Sequence, residues 1–230
     1  MNWLVTAKFL ETKVHNAIAI DIGSTTTDLL IFKNGKCVNK YFNDFDRLHS
    51  NELIYTGVLR TPIHSVIDQI IINKKIFTII PENFANMSDV YTILSVINIK
   101  NNYTFACDNR SKTHLNSLKR LARVFGLDYI KDFKKDLYQL SEKIYFNHRL
   151  MLEKKIIKVI KKNFKKGDNI DVIGLGVGRV LIKEICCKNN FIYKDFNIFC
   201  KNSKNKVFSP SDVAPSYSLS QLLMSINEKN

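Results

Sequence analysis

The chain has 230 residues, 45% of them hydrophobic, and a formal net charge of +14. This length allows one domain or two small lobes, each with a buried core. No run of residues resembles a transmembrane span, and the N-terminus lacks the basic region and apolar core of a signal peptide. The five cysteines show no C-x-x-C spacing, which predicts reduced thiols in a cytoplasmic protein and argues against a disulfide framework or a zinc site.

The positive charge raises the possibility of nucleic-acid binding, which we do not favour. Lysine outnumbers arginine 28 to 7, whereas dedicated nucleic-acid binders use arginine and interleaved aromatic residues more often. The densest basic run, residues 154–166, lies in a helical pattern and is read as a solvated helix face. Only weak, nonspecific adhesion to polyanions at low salt is expected.

The first predicted elements form two successive hairpins. Apolar runs at 17–20 and 29–32 read as buried strands on either side of Asp-Ile-Gly-Ser-Thr-Thr-Thr-Asp at 21–28. The Asn-Gly pair at 34–35 then turns the chain into a third strand, 36–42, because both residue types tolerate positive φ. We therefore predict three antiparallel strands within residues 16–42.

The acidic, hydroxyl-rich loop at 21–28 predicts a phosphate site. A glycine lets the backbone approach a ligand, hydroxyl and N–H groups donate to phosphate oxygens, and two carboxylates can hold a divalent cation such as Mg²⁺. The alternative is an ordinary threonine-rich polar turn, and a Walker loop is excluded because no helix follows. The predicted phosphate-binding residues are Gly23, Ser24, Thr25, Thr26 and Thr27, and the predicted metal ligands are Asp21 and Asp28.

Downstream, the pattern changes from strand to helix. Residues 44–62 are polar and predict a short strand that ends in a loop. The further predicted strands are 75–80, 170–173 and 192–199, and the predicted helices are 82–94, 112–125, 133–164, 180–187 and 215–226. Gly126 is placed as the C-cap of the second of these helices.

A second glycine cluster follows the strand at 170–173. Gly174, Gly176 and Gly178 lie between this strand and a helix, but the third glycine of a dinucleotide fingerprint would fall at Arg179. Two interpretations stay open. The turn could lie across the cleft and contact the ligand, so its glycines join the phosphate-binding candidates, or it could simply let the helix pack on the sheet.

The strand–loop–strand–turn–strand pattern resembles the superfamily of actin, sugar kinases and heat-shock ATPases, whose phosphate loops read Asp-x-Gly-x-Thr. This resemblance implies an α/β fold with one ribonuclease-H-like lobe over 1–230. Its strands would lie near 16–42, 75–80, 170–173 and 192–199, with a largely helical insertion at about 84–165.

Several motifs together resemble the hydantoinase/oxoprolinase-related proteins linked to tetrahydromethanopterin C1 metabolism and methanofuran biosynthesis. They stand in this order: Asp21-Ile-Gly-Ser-Thr-Thr-Thr-Asp28; Asp46-x-Leu48; Glu52-Leu-x-Tyr-Thr-Gly-Val-x-Arg-Thr-Pro62; Phe84-Ala-x-Met-x-Asp-Val-Tyr91; and Arg120-Leu-Ala-Arg123 with Gly126 and Asp128. The resemblance implies a synthase that joins a furan-methanamine diphosphate to γ-glutamyl-tyramine and releases pyrophosphate.

The sequence departs from this family in two ways. Family members carry an earlier Asp-x-Gly-Gly loop in an N-terminal lobe, so we expect a truncated or split form whose missing lobe a separate chain could supply. We then expect weak or no activity alone, and an apolar patch where Trp3, Leu4 and Phe9 lose their packing partner. Asn86 and Asn109 also stand where the family pattern has Thr and Gly.

The candidate chemistry follows from a diphosphate leaving group. Asp21 and Asp28 would hold Mg²⁺, and Arg60 or Arg47 would add positive charge as the diphosphate departs. A phenol, with a pKa of about 10, needs a base or a nearby cation to ionise; the candidates are Glu52, Glu82 and Asp89, for which surface or capping roles are open alternatives. Two other functions stay open: an ATP-dependent hydantoinase/oxoprolinase-type hydrolase, and a non-catalytic remnant that binds a partner lobe.

Overall fold

A computed structural model describes residues 2–97, 105–201 and 209–227. The chain divides into two compact units, the first comprising Met1–Tyr55 with Lys155–Asn230 and the second comprising Thr56–Lys154. In chain order the strands are β1 Ala17–Ile22, β2 Thr27–Lys33, β3 Lys36–Cys37, β4 Leu53–Ile54, β5 Gln69–Ile72, β6 Lys75–Thr78, β7 Asp171–Leu175 and β8 Ile192–Asp195. The helices are α1 Trp3–Glu11, α2 Asp44–Ser50, α3 Met87–Ile93, α4 His114–Val124, α5 Lys134–Asn163, α6 Arg179–Asn189 and α7 Ala214–Asn227.

The first unit is built on a mixed six-stranded sheet. Its order is β3-β2-β1-β7-β8, and β4 pairs with β2. The first three strands are antiparallel neighbours, whereas β7 and β8 run parallel to β1. The three antiparallel strands predicted within 16–42 and the strand predicted at 170–173 are present in one sheet, but the third strand ends at Cys37 and not at residue 42 as predicted. The α/β class is confirmed.

The central position of β1 follows from its sequence. Residues 17–20 are completely buried, as expected for a continuous apolar run with strands on both sides. The turn after β2 has positive φ at both Asn34 (51°) and Gly35 (77°). These are the dihedral signs of a two-residue hairpin turn, so local turn chemistry fixes the register of β2 against β3.

Helix α1 packs into the core of the first unit, which corrects one expectation. Trp3 and Phe9 are each only 6% exposed, and the Phe9 ring lies 5.6 Å from Phe196 and 5.9 Å from Tyr217. Trp3 and Phe9 therefore do not form the expected apolar patch, and Leu4 is only half-buried. Residues of α7 and of the turn after β8 cover Phe9, and Phe42 and Arg47 lie against the Trp3 ring.

The second unit begins earlier than the expected helical insertion. It contains the β5–β6 hairpin, α3, α4 and the first part of α5. The strand predicted at 75–80 is β6, which within the described parts of the chain pairs with β5 alone, in a separate two-stranded sheet. The hairpin belongs with the helices because Phe77 packs edge-on against Phe125 and the Ile80 N–H donates to the Val124 carbonyl at 2.9 Å.

Two predicted elements have a different form. Within residues 44–62 the predicted short strand is present as β4, but it follows a helix that was not predicted, α2, whose cap Asn43 accepts a hydrogen bond from the Asp46 N–H and which ends at the left-handed Asn51. Acidic residues in the first turn and basic residues in the last turn also stabilise this helix. The strand predicted at 192–199 ends at Asp195, because the Asp195 side chain caps a 3-10 turn at Phe196–Phe199.

The two departures from the family pattern suit the local backbone. Asn109 has a φ of 56°, a left-handed conformation that favours glycine and that asparagine tolerates better than other residues. Asn86 is the N-cap of α3, and its side chain accepts from the Ser88 N–H at 3.1 Å. Both substitutions keep the conformation that the turn requires.

Candidate functional site

The loop at 21–28 is the tip of the β1–β2 hairpin. Asp21 and Asp28 are directly opposed in the antiparallel register, as are Ile22 and Thr27. Directly opposed residues project from the same face of a sheet with their Cβ atoms about 5 Å apart. The fold therefore brings the two predicted carboxylates together at the end of β1, and the four residues between the strands close the tip.

The tip presents unused backbone donors. The Gly23 N–H donates across the loop to the Thr26 carbonyl at 2.9 Å, and the Ser24 and Thr25 hydroxyls lie 3.3 Å apart. Among the described residues, no acceptor is bonded to the backbone N–H of Ser24, Thr25 or Thr26. Three consecutive N–H groups without an internal acceptor form a concentration of donors that can bind an anion.

Asp28 has a cationic partner inside the unit. Arg47 from α2 is 2% exposed; its Nη1 lies 2.8 Å from Asp28 Oδ1, and its Nη2 donates to the Glu52 carbonyl at 3.2 Å. The Arg47 guanidinium also stacks 4.4 Å from the centre of the Trp3 ring. Burial raises the pKa of the Asp28 carboxyl, and the charge of Arg47 opposes that rise.

Asp21 is the carboxylate without such a partner. Burial, and then the nearby charge of Asp28, raise the pKa of Asp21 to about 7. No Lys, Arg or His side chain pairs with it in the described parts of the chain. A divalent cation would relieve both causes at once, so the pair Asp21 and Asp28 fits Mg²⁺, which proteins often bind through one or two carboxylates plus substrate phosphates. The described residues contain no cluster of three or more His, Cys, Asp or Glu side chains suited to a metal ion.

The glycine turn after β7 packs against Asp21. Gly176 has a φ of +76°, and a β-carbon on it would lie 2.4 Å from both Asp21 Oδ1 and the Ile22 carbonyl oxygen. The Gly178 N–H donates to that same Ile22 carbonyl at 2.9 Å, and the Gly176 N–H donates to the Ser211 carbonyl at 2.7 Å. These N–H groups are satisfied within the protein, which favours the packing interpretation of the turn.

Arg179 holds the glycine turn in place. Its Nη1 donates to the Gly176 carbonyl at 3.0 Å and pairs with Asp212, while its Nε donates to Asp195 at 3.1 Å. Since Asp195 ends β8 and Asp212 precedes α7, one guanidinium joins three segments next to the phosphate-loop candidate. Charge-assisted hydrogen bonds as well as close packing thus hold the glycine turn against Asp21.

The remaining sequence candidates lie in different places. Glu52 precedes β4, which pairs with the start of β2; Glu52 is 7% exposed, and its Oε2 has no hydrogen-bond partner in the described part of the chain. Gly174 lies within β7, against the Tyr193 ring. Arg60 and Glu82 are exposed residues of the second unit.

Asp89, another candidate base, is engaged in structural contacts. Its carboxylate accepts from the Asn86 N–H at 3.2 Å, from the Ser117 hydroxyl at 2.8 Å and from Arg120 at 2.7 and 2.9 Å. It forms the capping box of α3 together with Asn86. Of the two roles left open for Asp89, the structure supports capping.

Three residues that shape the site were not predicted to do so from the sequence: Trp3, Arg179 and Ser211. Each acts through contacts with residues distant in sequence, so no local spacing marks it. Of these three residues, only Arg179 has a recognisable position in the sequence pattern, because it stands where a dinucleotide fingerprint would have its third glycine.

Comparison with known protein families identifies the family to which the chain belongs. The family model for hydantoinase/oxoprolinase matches residues 4–214. The chain belongs to the hydantoinase/oxoprolinase family.

Among the helices that the structure describes, none combines the length and the apolar character needed to cross a bilayer.

Two members of the hydantoinase/oxoprolinase family are similar to this chain and share one name, (4-{4-[2-(gamma-L-glutamylamino)ethyl]phenoxymethyl}furan-2-yl)methanamine synthase. The protein of Methanocaldococcus jannaschii is 31% identical over 194 residues, which cover 83% of this chain and 57% of that protein. The protein of Methanococcus vannielii is 30% identical over 234 residues, which cover 97% of each. This chain thus spans little more than half of one relative and nearly all of the other.

Proposed function

We propose that this chain is a synthase-type transferase that binds a diphosphate ester at the loop 21–28, together with Mg²⁺, and joins its organic part to a phenol. The two relatives are named for a product with a phenoxymethyl-furan ether. Such an ether forms when a phenol oxygen attacks a furan methyl carbon that carries a leaving group. We take that leaving group to be diphosphate and the phenol to be of the γ-glutamyl-tyramine type.

One observation carries the proposal: unused donors and an unpaired carboxylate lie side by side. The N–H groups of Ser24, Thr25 and Thr26 can donate to phosphate oxygens. A phosphate there would lie close to Asp21 and Asp28, and this repulsion requires a cation between them. Arg47 already neutralises Asp28, so the charge that remains to be balanced is that of Asp21. An anion-binding tip beside a carboxylate is the arrangement expected for a metal–diphosphate site.

The reaction transfers one proton to a base and, at the furan methyl carbon, forms one bond and breaks another. The phenol O–H loses its proton to a base, the oxygen forms a bond to the furan methyl carbon, and the bond from that carbon to the diphosphate oxygen breaks. Bound Mg²⁺, held by Asp21 and Asp28, would supply positive charge to the leaving pyrophosphate. The loop N–H groups orient the diphosphate. Among the candidate bases, Glu52 is favoured because its buried Oε2 has no other hydrogen-bond partner in the described chain.

The wider architecture belongs to the same proposal. The strand order β3-β2-β1-β7-β8, with three antiparallel strands followed by two parallel ones, supports a ribonuclease-H-like lobe of the actin type. In an actin-type arrangement a second lobe completes the site, and a separate chain could contribute that lobe. The glycine turn remains a proposed ligand contact in addition to its packing role, and the role of Arg60 remains a prediction from the sequence.

The family name favours a second candidate, an ATP-dependent hydrolase of the hydantoinase/oxoprolinase type. Such an enzyme would use the same loop for ATP and would release phosphate while it opens a cyclic amide. The two candidates differ in nucleotide dependence and in the released product. A single assay with two substrate sets separates them.

The test is release of pyrophosphate by the purified chain with furan-methanamine diphosphate, γ-glutamyl-tyramine and Mg²⁺. The assay is run with the chain alone and with the part of the M. jannaschii protein that the alignment does not cover. We expect weak turnover alone, an increase on mixing, and loss of both with EDTA or in Asp21→Asn. ATP-dependent phosphate release with 5-oxoproline or a hydantoin, and none with the furan substrate, would establish the hydrolase instead.

A further inference from the structure

The second unit contains a cavity of about 360 Å³ whose lining is strongly basic. We call it the arginine pocket and define it by Arg110, Lys119, Arg120 and Arg123, with the rings of Phe84 and Tyr129 and two carboxylates, Asp108 and Asp128. Its volume lies in the lower range of small-molecule sites, and its combination of rings with a few polar groups is typical of such sites. None of these residues belongs to the loop at 21–28.

Arg120 is the fixed floor of the arginine pocket. It is 3% exposed, and its Nε and Nη2 both donate to Asp89 Oδ1, at 2.9 and 2.7 Å. Nη2 also donates to the Ser117 hydroxyl at 3.2 Å, and Nη1 donates to Asp108 at 3.0 Å. One N–H of Nη1 has no acceptor among the described residues. The guanidinium is thus held rigidly by buried partners and retains a donor for a further oxyanion.

Arg110 and Lys119 add charge that the described chain does not neutralise. Neither side chain forms an ion pair with a described carboxylate. Arg123 does pair with Asp128, at 3.0 Å, but both side chains are largely exposed, 63% and 82%. An exposed pair of this kind contributes little free energy and exchanges partners easily. When Asp89, the buried partner of Arg120, is counted with Asp108 and Asp128, four cations face three carboxylates, and the lining keeps a net positive charge.

We propose that the arginine pocket binds a small molecule that carries a compact oxyanion, a phosphate or a carboxylate, on an aromatic or apolar group. Guanidinium groups bind such oxyanions through paired, charge-assisted hydrogen bonds. Phe84 and Tyr129 provide apolar surface for the rest of the ligand, because both rings line the cavity and Phe84 is 37% exposed. The site is additional to the proposed Mg²⁺-dependent loop and needs no metal.

The test is calorimetric titration with phenyl phosphate and with benzoate, in EDTA so that the Mg²⁺-dependent loop does not contribute. Arg110→Gln with Lys119→Gln removes the two uncompensated cations, and both side chains are exposed enough to be changed without loss of the fold. Lys135→Gln with Lys143→Gln is the matched control, since it removes the same charge from exposed positions of α5 in the same unit.

We expect the pocket variant to bind the preferred probe at least about tenfold more weakly, because it loses two cations that can form charge-assisted hydrogen bonds with the oxyanion. The control should retain the affinity within about twofold. The stronger of the two probes distinguishes phosphate from carboxylate recognition. Equal weakening in both variants, or tighter binding of single-stranded DNA than of either probe with equal loss in both variants, would show diffuse electrostatic attraction and overturn the proposal.

Discussion

Gly176 and Asp21, which are far apart in the sequence, touch at the end of the parallel pair β1 and β7. A β-carbon at 176 would lie 2.4 Å from Asp21 Oδ1, and equally close to the Ile22 carbonyl oxygen. No side chain can therefore occupy this position while the carboxylate keeps its place. The glycine turn determines where Asp21 points, and through Asp21 it determines where a cation could be held.

Gly176→Ala should therefore disturb both stability and binding. The new methyl group meets the backbone of Ile22 as well as a side chain, so the strands must shift; we expect a loss of about 2–4 kcal/mol in the free energy of unfolding. Urea titration measures it. Gly167→Ala is the control, because Gly167 also has a positive φ (+97°) but has open space within 4 Å of its Cβ position, so only the backbone cost of about 1 kcal/mol applies. Equal losses in the two variants would contradict the packing role.

Binding of Mg²⁺ should depend on the ionisation of Asp21. Because burial and Asp28 raise the pKa of Asp21 to about 7, the metal must displace a proton below that pH. We expect the affinity for Mg²⁺ with pyrophosphate to rise about tenfold per pH unit below about 7 and to level off above it. Asp21→Asn should abolish the metal-dependent part, whereas the exposed control Asp132→Asn should behave like the parent protein in calorimetry. Metal-independent binding that is equal in all three proteins would reduce the loop to a simple turn.

The ion pair between Arg47 and Asp28 should contribute far more to the free energy of unfolding than an ion pair on the surface does. Arg47→Met leaves the Asp28 carboxylate, whose side chain is 18% exposed, without its cation, and breaking a buried pair in this way typically costs about 3–5 kcal/mol. Arg123→Met makes the same chemical change in the exposed Arg123–Asp128 pair and should cost less than about 1 kcal/mol. Urea unfolding compares them. Trp3, the single tryptophan, should also change its emission only in Arg47→Met, because its ring contacts that guanidinium.

The parts of the fold that could be predicted from sequence are those fixed by near neighbours. The Asn34-Gly35 turn, the buried run in β1 and the long helix α5 follow from turn chemistry and hydrophobic period alone. Helix α2 was missed because its stabilisation comes from the cap Asn43 and from end charges rather than from an apolar face. The loop carboxylates could be identified as a pair, since the hairpin register opposes them. The Arg47–Trp3 stacking and the Gly176–Asp21 contact could not, because they arise only when β7 and α1 pack in the tertiary structure.

A last prediction concerns His148, a buried residue of the second unit that is not part of the proposed site. Its ring nitrogens are hydrogen-bonded to the Thr56 and Tyr91 hydroxyls, at 2.9 and 2.8 Å, and burial lowers its pKa to about 4. The unfolded chain binds a proton on this histidine below about pH 6.5, whereas the folded chain does so only below about 4. Stability should therefore fall as the pH drops through this window, by up to about 3 kcal/mol in total.

Asp21 has the opposite effect in nearly the same window. Its raised pKa means that the folded chain holds a proton that the unfolded chain releases, so stability falls as the pH rises from about 4 to about 7. In the parent protein the two slopes oppose each other when the chain unfolds in a single transition. Asp21→Asn should remove the pH dependence due to Asp21 and leave that due to His148. The free energy of unfolding of this variant should therefore decrease by about 1.4 kcal/mol per pH unit as the pH falls from 6.5 to 4. Urea titrations at several pH values, followed by circular dichroism, measure this. A flat profile in Asp21→Asn, or one that stays steep after His148→Gln is added, would contradict the assignment to His148.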